Sequence, residues 1–204
     1  MNILLVSPTV APINPSTRYA GIERLVWEYS RELIKTHHIT VIGHPKSIYP
    51  EGVEHLPALT EHSAHLAYSG KYHKFDVIHD FSHEHLASRY TPALPILAVI
   101  WHAPALAKYP KSPYNIICPS EWGVREFRRV YGQDAKSQYT VGIDVELYKP
   151  DNTVRNDRFF SLGRMGAEKG NLEAAKLCKK LGVSLDIQGA RGFENAPGAP
   201  LTDY

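Results

Sequence analysis

Ile3-Leu4-Leu5-Val6, a loop from Ser7 to Tyr19, a periodic stretch from Gly21 to Lys35, then Ile39-Thr40-Val41-Ile42: this opening of the chain decides the fold. The first run is short and apolar throughout, the pattern of a strand buried on both faces of a parallel sheet. The loop carries Pro8, Pro12 and Pro15. In the stretch that follows, Ile22, Leu25, Val26, Tyr29, Leu33 and Ile34 recur at helical spacing. Ile39–Ile42 is apolar again, and Gly43 closes it. Strand, helix and strand make one βαβ unit. The same order continues, with strands expected at Val53–Leu56, Phe75–His79, Ile96–Ile100 and Asn115–Cys118. Helices are expected near Leu59–Tyr68 and His83–Arg89, and from Ser120 to about Tyr131, with the Ser120 hydroxyl as N-cap. Such alternation implies an α/β fold with a doubly wound parallel sheet.

The composition changes at Tyr148-Lys149-Pro150-Asp151-Asn152-Thr153, where Pro150 forbids helix and the polar residues suit a linker. Residues 1–150 are therefore expected to form one domain and 151–204 part of a second. The second part holds a strand at Arg158–Leu162, a helix from Glu168 to Leu181 and a strand at Ser184–Ile187. Gly189 to Tyr204 has breaks and no periodicity, and reads as a tail. One βαβ unit cannot cover both faces of its own sheet. It is expected to be an incomplete second unit that is either mobile or pairs with the same segment of another copy, as a two-fold homodimer, the second being favoured.

Bulk properties exclude several classes. The 204 residues are 43% hydrophobic and 22% charged, and 23 basic against 21 acidic residues leave a net charge of +2. That balance argues against a nucleic-acid protein driven by phosphate neutralisation. No apolar run approaches the roughly 20 residues of a membrane span, and Met1–Val6 lacks the basic start of a signal peptide. Cys118 and Cys178 cannot make a disulfide framework, so both read as reduced and structural.

Leu162-Gly163-Arg164-Met165-Gly166-Ala167-Glu168-Lys169-Gly170 sets glycines, an Arg and a Lys in a strand-to-helix turn. Helix N-termini present free N–H groups and partial positive charge, so such a turn suits a phosphate. Arg164 offers a bidentate fork and Lys169 a point charge. A solvated loop with two cations fits the spacing as well. The segment resembles the G-R-x-x-x-E-K-G signature of family-4 retaining glycosyltransferases, which have the GT-B fold. Four further segments resemble the same family in order: Ala20-Gly21-Ile22-Glu23-Arg24, Phe75-Asp76-Val77-Ile78-His79, Pro119-Ser120-Glu121-Trp122, and Val141-Gly142-Ile143-Asp144 through Pro150. Ala20 and Val141 depart from the family's Gly and Asn.

The resemblance implies a Rossmann-like, acceptor-side domain followed by the opening of the donor-side domain. It implies transfer of a sugar from a nucleotide-diphosphate donor, such as a UDP- or GDP-sugar, to a glycan, lipid or small-molecule acceptor, with retention and without a metal. Arg164 and Lys169 match the residues that grip the donor diphosphate, and Gly21 falls where the loop nears the donor phosphates. His102, after the strand ending at Ile100, matches an active-site His. The family's E-x7-E segment has no counterpart, leaving half a donor site. The expected location is cytoplasmic, with peripheral contact at the inner membrane face.

Other readings of the same residues compete. His79, His83 and His85 fall within seven positions, but His83 and His85 would lie on different sides of a helix, against a zinc site. Arg18, Arg24, Arg125, Arg128 and Arg129 cluster where an acidic lipid or acceptor would suit them, although a solvated helix face explains the last three. A nicotinamide-dependent dehydrogenase is disfavoured because Ser7-Pro8-Thr9-Val10-Ala11-Pro12 stands where G-x-G-x-x-G belongs. A binding module of the same fold without turnover is the alternative to an enzyme.

Overall fold

A computed structural model of the chain describes residues 1–17, 20–87, 95–101, 115–137, 145–146, 149, 157–163, 165–166 and 169–189. The chain divides into two compact units, Met1–Gly142 and Ile143–Tyr204.

The first unit is built on a parallel sheet of β1 (Asn2–Val6), β2 (His38–Gly43), β3 (Glu54–Pro57), β4 (Val77–Asp80), β5 (Ile96–Val99), β6 (Asn115–Cys118) and β7 (Lys136–Ser137). Its spatial order is β3-β2-β1-β4-β5-β6-β7, and every neighbouring pair is parallel. Successive side chains on a strand point to opposite faces, and β1 sorts its residues accordingly. Ile3 and Leu5 join Val26 of helix α1 (Gly21–Leu33), with Val41 and Phe81, while Leu4 and Val6 join Ala64 of helix α2 (Glu61–Tyr68), with Tyr72 and Ile78. On β5, Ala98 shares the face of Ile96 and packs with Phe127 of helix α3 (Glu121–Tyr131). Helix α1 covers one face and α2 and α3 the other. The sheet is doubly wound and Rossmann-like.

The ends of the helices follow from local chemistry. Thr60 caps α2 through a reciprocal box: its hydroxyl accepts the Ser63 N–H at 3.0 Å, and the Ser63 hydroxyl accepts the Thr60 N–H at 3.0 Å. A 3₁₀ turn at Ser69–Lys74 continues α2, and Asp76 then accepts the Asn2 N–H at 2.8 Å, so β4 starts at Val77 rather than at Phe75. Ser120 caps α3, accepting the Gly123 N–H at 3.1 Å. Gly132 ends that helix in the left-handed region, φ 64°. Gly43 has a steric reason: a Cβ there would lie 2.3 Å from the Tyr49 hydroxyl oxygen.

The second unit holds β8 (Arg158–Leu162), helix α4 (Asn171–Leu181) and β9 (Ser184–Gln188), with β8 and β9 parallel. Helix α4 begins three residues after the expected Glu168. Gly170 is its N-cap, and φ 69° is a left-handed conformation through which a helix cannot run. Burial differs sharply from the first unit, since Phe160 is 61% and Leu162 74% exposed, and Leu172, Leu177 and Leu181 are exposed as well. Residues 190–204, most of 148–153 and the Val141–Asp144 segment lie outside the described residues. Both cysteines are free and buried, and burial pushes the Cys118 thiol up to about 11. Among the described residues no helix is long and apolar enough to cross a membrane.

Candidate functional site

In an open α/β sheet, ligands bind outside the carboxyl ends of the strands, where the strand order reverses. Here the chain winds outward from β1 through β2 to β3 and then returns to lay β4 on the other side of β1. The crevice therefore belongs to the ends of β1 and β4. It is bordered by Ser7–Thr9 after β1, by the amino ends of α1 and α2, and by Phe81–His85 after β4.

The loop after β1 is anchored from within. The Ser47 hydroxyl accepts the Ile13 N–H at 3.1 Å, and the Ile13 carbonyl accepts the Ile48 N–H at 2.7 Å. Ala11, Ile13, Ala20 and Trp27 pack together with Tyr49. The loop thereby delivers Gly21 as the first residue of α1. Gly21 is exposed, its φ is not positive, and a Cβ placed on it meets nothing within 4 Å among the described residues. Among the described residues, neither packing nor backbone strain explains a glycine there. Two residues on, Glu23 turns inward and is buried, accepting the backbone N–H of Ala11 and its own; burial raises its carboxyl above the usual range.

The segment after β4 is held by side chains at four successive amides. Asp80 Oδ1 accepts the Ser82 N–H at 3.0 Å and the Ser82 hydroxyl at 2.5 Å. Glu61, from the first turn of α2, accepts the His83 N–H on Oε1 at 2.8 Å and the Glu84 N–H on Oε2 at 2.6 Å. Ser82 Oγ accepts the His85 N–H at 3.1 Å. His85 sits at φ 49°, unusual for a residue with a side chain, and its Nδ1 lies 3.9 Å from Asp80. The helix expected from His83 is absent at its start: 83–85 is a loop, and the left-handed φ of His85 is one through which a right-handed helix cannot run. Helical backbone appears only at Leu86–Ala87, and Arg89 lies outside the described residues.

The electrostatics follow from burial and pairing. Burial raises the fully enclosed Asp80, while His85 and Ser82 act against it. Burial alone would raise Glu61, but the His83 ring and the two amides outweigh it and hold the carboxylate below its usual range. The hydrogen bond that His83 Nδ1 donates to Glu61 Oε1 at 3.2 Å raises His83 against the opposing effect of burial. His79 is different. It packs against Tyr29 and Phe81 within the core, and burial drives it down to about 4, so it is neutral at pH 7.

Of the residues expected in the site, Gly21 lies at this crevice. His102 and Arg164 lie outside the described residues; Trp101, just before His102, stacks on Phe81 with ring centroids 6.2 Å apart. Lys169 belongs to the second unit, in the turn before α4, where its N–H donates to the Gly166 carbonyl at 3.0 Å. Its side chain is exposed and has no ion-pair partner among the described residues. The basic cluster is largely neutralised locally: Arg24 pairs with Glu28, Arg128 with Asp134 and Arg129 with Glu126, while Arg18 lies outside the described residues. Among the described residues no group of His, Cys, Asp and Glu is placed to hold a metal ion. Sequence reading missed Glu61, Asp80 and Ser82. The Asp80-x-Ser82 spacing suits a local turn bond of this type, but nothing local points from Glu61 to His83, 22 residues away.

No protein-family model matches the chain, and no curated protein matches it. Among solved structures, AviGT4, a glycosyltransferase involved in avilamycin A biosynthesis, is similar with a TM-score of 0.65 and 19% identity. The two share a fold. The similarity covers 90% of this chain and 55% of AviGT4, so the chain spans little more than half the length of that relative. The DNA/pantothenate metabolism flavoprotein from Streptococcus pneumoniae reaches a TM-score of only 0.33 at 12% identity, over 93% of this chain and 82% of that one. That value is too low to bear on the fold.

Proposed function

We propose that the chain is a glycosyltransferase, or the acceptor-side part of one, that moves a sugar from a nucleoside diphosphate sugar to an acceptor with retention of configuration. The observation that carries the reading is the crevice at the β1–β4 switch point. There Gly21 opens α1 without a side chain, and nothing among the described residues requires a glycine. A backbone without a side chain at a helix amino terminus suits close approach of a phosphate. The fold shared with AviGT4 supports the same direction.

In this reading Gly21 approaches the donor phosphates, Arg164 and Lys169 hold the diphosphate, and His102 contacts the transferring sugar. The reaction is a front-side displacement in which the departing diphosphate gathers negative charge, and the two cations stabilise it in place of a metal. The acceptor is a glycan, a lipid or a small molecule. The exposed Phe159, Phe160 and Leu162 of the second unit support self-association, which light scattering at micromolar concentration tests. Cytoplasmic location with peripheral contact at the inner membrane face completes the proposal.

The decisive experiment incubates the chain with a panel of nucleotide sugars and acceptors, alone and with any neighbouring reading frame supplied in trans. Transfer or donor hydrolysis is expected for one donor. Saturable binding without turnover under every combination would make the chain a binding module instead.

A further inference from the structure

We propose a second ligand site at the amino edge of the first sheet: a pocket between β2, β3 and the 3₁₀ turn at Ser69–Lys74 that takes a phosphorylated sugar. It lies at the opposite edge from the β1–β4 crevice and does not depend on the glycosyl-transfer reading.

All strands of this sheet are parallel, so Asn2 and His38, which open β1 and β2, mark the edge away from the carboxyl ends. A cavity of about 390 Å³ lies there, and every residue that lines it is described. Small-molecule sites run to roughly 300–1,000 Å³. Strand alternation supplies one wall. Thr40 is the register partner of Leu4, and Glu54 that of Thr40, so all three share the face that α2 covers. Thr40 interrupts the apolar run of β2 and is buried. Its hydroxyl donates to Glu54 Oε2 at 2.9 Å, which fixes the carboxylate and leaves Oε1 without a bond among the described residues.

The facing wall is the 3₁₀ turn. With three residues per turn, positions i and i+3 eclipse, so Lys71 and Lys74 stand on one side of it. The turn is tied down at both ends. Tyr72, between the lysines, is buried in the core beneath α2. Asp76 accepts the Asn2 N–H at 2.8 Å, and its own N–H donates to the Asn2 carbonyl at 2.9 Å. Lys71 Nζ lies 5.3 Å from the Tyr68 ring centroid, and neither lysine has an ion-pair partner among the described residues. Two like charges on one side of an anchored turn repel, and an anion between them would relieve that.

The two walls select the ligand together. A phosphate monoester carries between one and two negative charges near pH 7, which suits a pair of ammonium groups. An ionised carboxylate only accepts, so the ligand must offer Glu54 a donor, and a sugar hydroxyl does so. Leu56 and Phe75, both half-buried, line the space between and offer apolar surface to the C–H face of a ring.

The test uses the 204-residue chain with glucose 6-phosphate, inorganic phosphate and methyl α-D-glucopyranoside, followed through backbone amides by NMR. Glucose 6-phosphate should give saturable shifts at 71–75 and at Glu54, and should bind about tenfold tighter than either of the other probes. Lys71→Ala and Lys74→Ala should each weaken it about tenfold, the size of one charge-assisted contact, while Lys74→Arg keeps most of the affinity. Glu54→Gln retains an oxygen for Thr40 and should narrow the preference for glucose 6-phosphate over inorganic phosphate. A general change of charge would move both probes alike. Both lysines and Glu54 are exposed, so these variants should fold as the wild type does, which urea denaturation checks. Lys169→Ala should leave the shifts at 71–75 unaltered, which separates this pocket from the proposed diphosphate contact. No saturable shift at 71–75, or unchanged affinity in both lysine variants, overturns the site. Inorganic phosphate binding as tightly as glucose 6-phosphate overturns its assignment to a sugar.

Discussion

The turn after β4 and the turn after β8 occupy the same place in their respective βαβ frames, yet they are built in opposite ways. After β4 every amide from Ser82 to His85 ends on a protein side chain: three on the carboxylates of Asp80 from β4 and Glu61 from α2, and that of His85 on the Ser82 hydroxyl. After β8 the described residues are glycines, Met165 and Lys169, and Lys169 is exposed with no ion pair among the described residues. The first turn is satisfied by its own chain, so its stability should depend on its polar residues. The second leaves a cation to solvent, so its polar residue should matter to a ligand and not to folding.

The largest effect expected is at Asp80. Replacing it with Ala removes the acceptor for two Ser82 bonds and leaves the buried His85 without its carboxylate neighbour, at a cost of about 3 kcal/mol. Asp80→Asn keeps an acceptor oxygen and should lose less. All three tryptophans, Trp27, Trp101 and Trp122, lie in the first unit, so urea denaturation followed by their fluorescence reads that unit alone. A loss under 1 kcal/mol for Asp80→Ala would show that the turn is not held as its bonds suggest.

Next comes the Glu61–His83 pair, whose contribution should depend on pH with two signs. The folded state lowers Glu61, so its contribution is present above the ordinary carboxylate range and is lost as pH falls through the lowered value. It raises His83, so that contribution is complete below the ordinary histidine value and is lost as pH rises through the raised one. The coupling between Glu61→Gln and His83→Gln should therefore be greatest in the mildly acidic window between those ranges, and smaller on either side. A double-mutant cycle measured across pH 3 to 9, flat throughout, would contradict the pairing.

These two turns also mark what could be read from the sequence. The sheet was legible because β1, β2, β5 and β6 are apolar enough to be recognised as buried strands, and Ser120 announced α3 as its cap. Strand β7 was missed because Lys136-Ser137 has neither length nor apolar character and is defined only by its pairing with β6. The 3₁₀ turn at Ser69–Lys74 has no periodic signature of its own. Gly21 stood out in the sequence only through the family resemblance; that it opens α1 at a non-positive φ, with open space around it among the described residues, required coordinates. His83–His85 was read as the start of a helix because one of the groups that hold it, Glu61, lies on another element. Long-range side-chain capture of backbone leaves no local pattern.

A smaller effect is expected at Gly170. Its left-handed φ of 69° precedes α4, and an alanine there would carry the steric penalty of that region, about 1 kcal/mol. The cost should fall on the second unit. Hydrogen exchange should quicken in α4 and stay unchanged in β1, β2 and β4. Equal changes in both sets would mean that the two turns are energetically coupled, against the contrast drawn between them.

The smallest effect on folding is expected at Lys169, and it sharpens the contrast most. An exposed ammonium with no ion pair among the described residues adds little to folding, so Lys169→Ala should change stability by no more than about 0.5 kcal/mol. If the proposed role is right, the same substitution should weaken a nucleoside diphosphate by the value of a charge-assisted contact, roughly 1.5–3 kcal/mol. Isothermal titration with UDP and with GDP, paired with denaturation of the same samples, separates the two quantities. Lys169→Arg keeps the charge and should retain most of the affinity, which distinguishes a phosphate contact from an accident of loop shape. A stability loss as large as that at Asp80 would place Lys169 among residues that hold their turn. Affinity unchanged in a form that binds nucleotide would leave the lysine as a solvated surface charge.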